Sequence, residues 1–375
     1  MKAPTQAELD WWRWRRQGLD EPRGSAAEIL ARSGWMRSVG GAGPYLGLFA
    51  RGRLSRGDVD AAVGALAIHE LPSARGCTYV VPAADYAVAL RASQGHGDAA
   101  TVAMAKKYLG VTDQEIERLC KAIVDALDKA PLDPKGLKEA LGGAVRHLGD
   151  EGKKRGTTTT LSLGLGLLQS GGEIRRVPED GRLDRQRYRY ARWKPSPLGK
   201  TKLDDATLAR ELATRFFRWT GPGTAAELAW WAGIGVKQAK AAIAELSLAD
   251  VDGERVMFAD DREELMCGKP PKSPPVRLVG SLDNLWHLGK LEVDHHAIVA
   301  GGARVGVWEF DFEAQKIVWA LTDKAAAKDK PKGLEKAVAE MEAFARDQLG
   351  DVRSFSLDSP ESRKPAIAKV RKLAR

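Results

Sequence analysis

The chain is poor in cysteine, having only Cys77, Cys120 and Cys267. They lie far apart and make no C-x-x-C pair. That spacing argues against a disulfide framework or a cysteine-based zinc site, and it fits a reducing compartment. No apolar run approaches the roughly 20 residues that a membrane-spanning helix needs, and the Gly-rich stretch SLGLGLLQSGG is too short. The opening segment, MKAPTQAELDWWRWRRQ, is charged throughout and has no apolar centre, so it does not read as a signal peptide. There is no G-x-S-x-G elbow, no Walker loop and no dinucleotide fingerprint. The glycine-rich SVGGAG (Ser38–Gly43) lacks the Lys-Ser/Thr of a phosphate loop and reads as a close approach of backbones. Asp294, His295 and His296 resemble a metal cluster, but adjacent histidines on a strand point to opposite faces and cannot share one ion. His69 and Glu70 have the same weakness, although one of the two could face a cleft. The expectation is a cytoplasmic, nucleoid-associated protein with no metal, no cofactor and no membrane partner.

What the chain does have is ordinary core material and an excess of positive charge. Its 375 residues are 43% apolar and 29% charged, with 11 Trp, which suits two to four small globular domains. The formal charge is +9 and the pI near 9.4. Such an excess favours an anionic partner, most often nucleic acid, and alternatively reflects an Arg-rich surface.

A pattern of three helices followed by a short strand pair occurs three times. Residues 1–110 hold the first unit. Its helices read from Leu9, after Ser25, at Pro44–Ala50 and from Ser55, and its strands at His69–Leu71 and Gly76–Pro82. The second unit, 111–200, has helical spacing at Ile116, Leu119, Ile123 and Leu127, then a helix capped by Asp133 and a linker, RHLGDEGKKRG. A helix opening at the Thr157–Thr160 run and a hairpin over Glu173–Val177 and Arg187–Trp193 complete it. The third unit, 201–268, repeats the plan and ends in a hairpin turned at Asp252-Gly253. Three helices and a hairpin make a winged helix, a helix-turn-helix variant. Beyond the linker KPPKSPP, residues 276–375 read as a small α+β domain of four strands, a helix at Leu334–Leu349 and a last strand near Val352–Leu357. The basic tail SRKPAIAKVRKLAR reads as frayed or as an amphipathic helix. The predicted class is α+β: three tandem winged-helix units and a C-terminal β-rich α+β domain.

The strongest chemical feature runs from Glu151 to Lys194. Lys153, Lys154 and Arg155 precede the helix start at Thr157. Arg175, Arg176, Arg182, Arg185, Arg187, Arg189, Arg192 and Lys194 follow. Duplex DNA is a line of phosphates and calls for several cations in register. Free N–H groups at a helix start, with Thr hydroxyls beside them, add donors. Tyr188 and Tyr190 alternate with the arginines, so one strand face would be aromatic and the other cationic. The plainer reading makes the tyrosines core residues and the arginines a solvated face. In GSLDN (Gly280–Asn284), Asp283 ends an apolar strand, where it is either a functional acid or a turn cap.

Taken together, RRQGL (Arg15–Leu19), PYLGLFAR (Pro44–Arg51), HELPSARGCTYVVP (His69–Pro82), LVGSLDNLW (Leu278–Trp286) and RVGVWEFD (Arg304–Asp311) resemble the AlkZ/YcaQ-like family of DNA glycosylases, in that family's order. The resemblance implies winged-helix units around a DNA channel and cofactor-free, monofunctional removal of N-alkylated purines. The family's Q-x-Q or Q-x-D motif is missing: the corresponding stretch is Arg32 to Ser38, and no Gln or Asp lies between Glu28 and Asp58. Ser33 is a poor substitute for it, and Trp35 is none. Asp283 is the first candidate for the catalytic acid. Two functions stand: a glycosylase in alkylation repair or self-resistance, and a non-catalytic winged-helix DNA-binding or regulatory protein. Three different winged helices in one chain suit a monomer wrapped around double-stranded DNA.

Overall fold

Helix starts follow Ser25, Ser55 and Asp133, the capping positions singled out in the sequence. In this computed structural model, which describes residues 3–199, 203–288 and 293–374, Thr5 caps α1 (Gln6–Arg16) and Ser25 caps α2 (Ala26–Ser33), each in a reciprocal box with a Glu. The two-residue strand β1 (Met36–Arg37) leads to α3 (Gly43–Gly52), and Ser55 with Asp58 closes another box on α4 (Arg56–Gly64). Strands β2 (Ile68–Pro72) and β3 (Thr78–Pro82) complete an antiparallel sheet of order β1-β3-β2. Two helices not expected from the sequence, α5 (Tyr86–Ser93) and α6 (Gly97–Tyr108), follow.

The second unit opens with α7 (Asp113–Leu127), whose Ile116, Leu119, Ile123 and Leu127 are buried as the spacing predicts. Asp133 caps α8 (Pro134–Leu141). The segment expected as a linker instead contains a short helix, α9 (Gly149–Lys154). Then come α10 (Leu161–Ser170) and the hairpin of β4 (Ile174–Pro178) and β5 (Tyr188–Arg192). Leu132 bridges to Tyr190 on β5, so the first-third-second sheet order of the first unit recurs. The third unit has α11 (Asp205–Thr220), α12 (Ala225–Ala232), α13 (Val236–Ala244), β6 (Leu248–Asp250) and β7 (Val256–Phe258). Here Gly223 bridges to Val256 and gives the same order again. The same sheet connectivity thus occurs three times among the described residues.

After α14 (Ala259–Cys267), the C-terminal part contributes β8 (Val276–Val279), the single turn α15 (Asn284–His287), β9 (His296–Ala300), β10 (Ala303–Asp311) and β11 (Lys316–Leu321). They form an antiparallel sheet of order β11-β10-β9-β8. Helices α16 (Lys324–Lys328) and α17 (Leu334–Ala343) follow, and α17 runs on as a π-helical stretch, Phe344–Leu349.

One expectation is corrected here, and of the two readings of the basic tail the helix is the one found. Val352–Leu357 is not a strand, because the Asp358 carboxylate accepts from the backbone N–H groups of Ser354 and Phe355 and curls the segment. The basic tail is an ordered helix, α18 (Pro360–Leu373), which buries Ile367 and Val370 and packs on β10 and β11. The irregular segment lies along the glycine-rich loop: Ala42 N–H donates to the Arg353 carbonyl and Ser356 N–H to that of Val39. A Cβ on Gly41 would sit 2.3 Å from the Ser354 carbonyl oxygen, so only glycine admits that approach.

The cores cross the unit boundaries. One joins α2, α3 and α4 to the C-terminal sheet and α17. Another joins Trp35, Tyr79 and α5 to α11 and α12. The second unit's helices and hairpin close over a core of their own, from Leu119 and Ile123 to Ile174 and Tyr190.

Candidate nucleic-acid interface

Side chains alternate along a strand, so β2 sends His69 and Glu70 to opposite faces. His69 is buried against Tyr86 and Trp193, with ring centroids 6.3 and 5.1 Å away. Neither of its ring nitrogens has a hydrogen-bond partner. Burial, with Arg175 and Arg176 nearby, pushes its pKa down to about 3. Glu70 faces the other way, into a groove of about 510 Å³ between the first and second units.

One wall of this groove is the β2–β3 hairpin, with Glu70, Leu71 and Thr78. Facing it are α10, through Leu161, Ser162 and Gln169, and the second hairpin, through Arg176, Tyr188 and Tyr190. Asp98 of α6 and Lys138 of α8 line it as well. Helix α10 approaches closely because Gly166 has no side chain: a Cβ there would lie 2.5 Å from Asp98 Oδ1. The hairpin register sets Arg176 directly across from Tyr190. Its guanidinium therefore joins the tyrosine face, 4.6 Å from the Tyr188 ring centroid. Arg187 and Arg189 lie on the opposite face of β5 and its lead-in and are exposed, as the alternation predicts.

Glu70 is 9% exposed. The Ser38 hydroxyl donates to its Oε1. Burial pushes its carboxyl up, opposed by Arg176 and by the Ser38 bond. Asp98 is also pushed up by burial, opposed by a Ser170 hydrogen bond and again by Arg176. One guanidinium thus acts on two carboxyls in a partly closed groove.

The cations picked out in the sequence divide into three groups. Lys153, Lys154 and Arg187 are exposed, with no ion pair among the described residues. Arg155, Arg185 and Arg189 are exposed and paired with Glu151, Asp180 and Glu179. Such surface pairs hold little energy and can be exchanged for phosphate. Arg175 and Arg176 are half-buried, and Arg192 is tied to Asp128 and Glu173. Two residues are corrected. Thr157 is buried, which takes its hydroxyl away from a phosphate. Arg182 is buried too, bound to both oxygens of Asp184 and to the Leu349 carbonyl, so it holds the hairpin to the C-terminal part.

Asp283 lies elsewhere, at the start of α15. It caps that turn, with Leu285 N–H donating to Oδ1 at 3.0 Å, and both its oxygens are held by the buried Arg51. Its side chain is 2% exposed. A carboxylate closed to solvent in this way has no face for a catalytic water, and the geometry is that of the turn cap. Ser33 and Trp35 are structural as well. The Ser33 hydroxyl donates to the Ile29 carbonyl, and the Trp35 indole N–H donates to Asp85 at 2.8 Å within a cluster with Trp219 and Trp231. Of the stretch from Arg32 to Ser38, Ser38 is the residue tied to the groove carboxylate.

His295 and His296 point apart, His295 Nδ1 to Glu309 at 2.8 Å and His296 Nδ1 to the Ser281 N–H at 3.0 Å. Among the described residues no three His, Cys, Asp or Glu side chains are grouped to hold a metal ion, and no helix is long and apolar enough to cross a membrane.

The family model described as DNA glycosylase AlkZ-like matches residues 30–344. In fold, the chain is similar to the solved structure of Streptomyces sahachiroi DNA glycosylase AlkZ, with a TM-score of 0.70 and 18% identity over 94% of this chain and 98% of that one. No curated protein matches it.

Proposed function

The chain belongs to the AlkZ-like DNA glycosylase family, and from that premise we propose that it binds duplex DNA as a monomer and hydrolyses the N-glycosidic bond of N-alkylated purines. The observation that carries this reading is the groove between the first and second units. It is of ligand-pocket size, holds two carboxyls and two tyrosine rings, and adjoins the basic second hairpin. Lys153, Lys154 and the exposed arginines of the hairpin would hold phosphates and set register, which carries no sequence information in itself. A damaged nucleotide turned out of the stack would enter the groove and rest against Tyr188.

An N7-alkylated guanine is cationic, so it leaves as a neutral base and needs little help in departing. The protein's task is to steady positive charge on the sugar and to direct water to C1′. That chemistry needs no metal or organic cofactor, and it belongs to a cytoplasmic, nucleoid-associated repair or self-resistance enzyme. The test is release of base from duplex oligonucleotides carrying defined N7- and N3-alkyl purines, followed by alkali cleavage at abasic sites. Tight, salt-sensitive binding with no release from any of them would instead mark a non-catalytic winged-helix DNA-binding protein.

A further inference from the structure

Glu70 is an expensive residue in its position. A carboxylate at 9% exposure forfeits most of its hydration. Structural carboxylates of this chain recover that loss through direct ion pairs, as Asp85 does with Arg215 and Asp184 with Arg182. Glu70 has no such bond. Ser38 takes its Oε1, and among the described residues no side chain bonds Oε2. The cation nearest in effect, Arg176, lowers its pKa through space rather than by contact. The carboxylate is therefore held by one neutral donor, near one fixed positive charge, on the wall of the groove of about 510 Å³.

Resting on the glycosylase reading above, we infer that Glu70 is the carboxylate that accepts the proton of the attacking water, with Ser38 as its positioning residue. The step balances. The C1′–N bond breaks and its electron pair goes to the cationic purine, which leaves neutral. The water oxygen bonds to C1′, and the water's proton passes to Glu70 Oε2 and from there to solvent. The ionised carboxylate also faces the positive charge growing on the sugar. Asp98 shares the groove but is packed under Gly166.

Several charged and titratable groups share this environment with Glu70: Arg176 of β4, Tyr188 and Tyr190 of β5, Asp98 of α6 and Lys138 of α8. Arg182 and Arg185 lie at an adjoining small cavity. Burial outweighs them and raises the carboxyl above its ordinary 4.5. The active base form is thus lost as pH falls through a value above 4.5.

The experiment is single-turnover release of 7-methylguanine from a duplex by the full chain, from pH 5 to 8. That substrate carries a fixed charge and does not itself titrate in the acid range. Affinity for a duplex with an abasic-site analogue and the melting temperature are measured in parallel. Glu70→Gln should lower the rate by about 10²-fold or more and abolish the acid limb, with binding and melting near wild type. Ser38→Ala should keep the limb and move its midpoint upward, since the lost hydrogen bond favoured the ionised form. Asp98→Asn, whatever it does to the rate, should keep the acid limb. An active wild type matched by Glu70→Gln would overturn this inference and leave the glycosylase reading standing. A rate loss confined to Asp98→Asn would do the same. Should Glu70→Gln fail to fold, Ser38→Ala decides, and an unmoved midpoint overturns the assignment. A wild type that releases no base from any alkylated duplex would overturn both readings.

Discussion

Arg51 holds Asp283 by two parallel bonds, Nη1 to Oδ2 at 2.8 Å and Nη2 to Oδ1 at 2.7 Å, although the two residues are 232 positions apart. Nη2 also donates to Gln17 Oε1, so one guanidinium ties α1, α3 and the start of α15 together. Removing one partner of a buried ion pair strands the other charge, at a cost of about 3–5 kcal/mol. Asp283→Asn is expected to lose stability on that scale in urea unfolding. Base release per folded molecule should hold. A variant of full stability with a 100-fold slower reaction would return Asp283 to the chemistry.

DNA affinity is expected to fall steeply with salt, each phosphate contact adding roughly 0.9 to the log–log slope. Combined removal of charge at Arg185, Arg187 and Arg189 should flatten the slope. Lys153→Ala with Lys154→Ala should weaken all duplexes about equally, whatever their sequence. Titrations at several salt concentrations read both effects, and an unchanged slope in the triple variant would move the DNA surface away from the second hairpin.

His69 makes stability depend on pH in a defined window. Its folded pKa of about 3 lies below the ordinary 6.5. Between those values the unfolded chain binds the proton and the folded chain does not. Its contribution is thus complete above pH 6.5 and is lost progressively as pH falls towards 3, by at most about 1.4 kcal/mol per pH unit. His69→Phe should have a shallower decline of melting temperature on acidification. Parallel curves for the two proteins would show that another group sets the acid stability.

Trp35 is fully buried, edge-on to Trp219 at 5.4 Å and to Tyr79 at 6.4 Å between centroids. It sits where the first unit meets the third. Trp35→Ala should cost about 3–5 kcal/mol. Trp35→Phe should cost less, since it keeps most of the ring and gives up the bond to Asp85. A fully stable alanine variant would mean that the two units do not depend on this cluster.

Much of the fold was legible in local chemistry. The boxes at Ser25 and Ser55 mark helix starts because their partners lie three residues away. The spacing from Ile116 to Leu127 gave α7 its buried face. The bridges at Leu132 and Gly223, each a single residue, carry no periodicity and could not be read. At Val352–Leu357 the alternation suggested a strand, but the Asp358 side chain offered the backbone a nearer partner. In the candidate site, alternation separated His69 from Glu70 without saying which faced the cleft. That was settled by Tyr86 and Trp193 packing over His69, and no feature of β2 encodes it. Asp283 misled for a similar reason: its strand-edge position was visible, but nothing near it in sequence pointed to Arg51.

The contact between the glycine-rich loop and Arg353–Ser356 bears on the order in which a ribosome can make this molecule. Ser38 leaves the exit tunnel long before Arg353 is joined to the chain. Until Arg353–Ser356 have been made, the Ala42 N–H and the Val39 carbonyl in the loop beside Ser38 lack the backbone partners they hold in the folded chain. A polypeptide stalled or clipped before Arg353 would carry the basic hairpin with that loop unbraced.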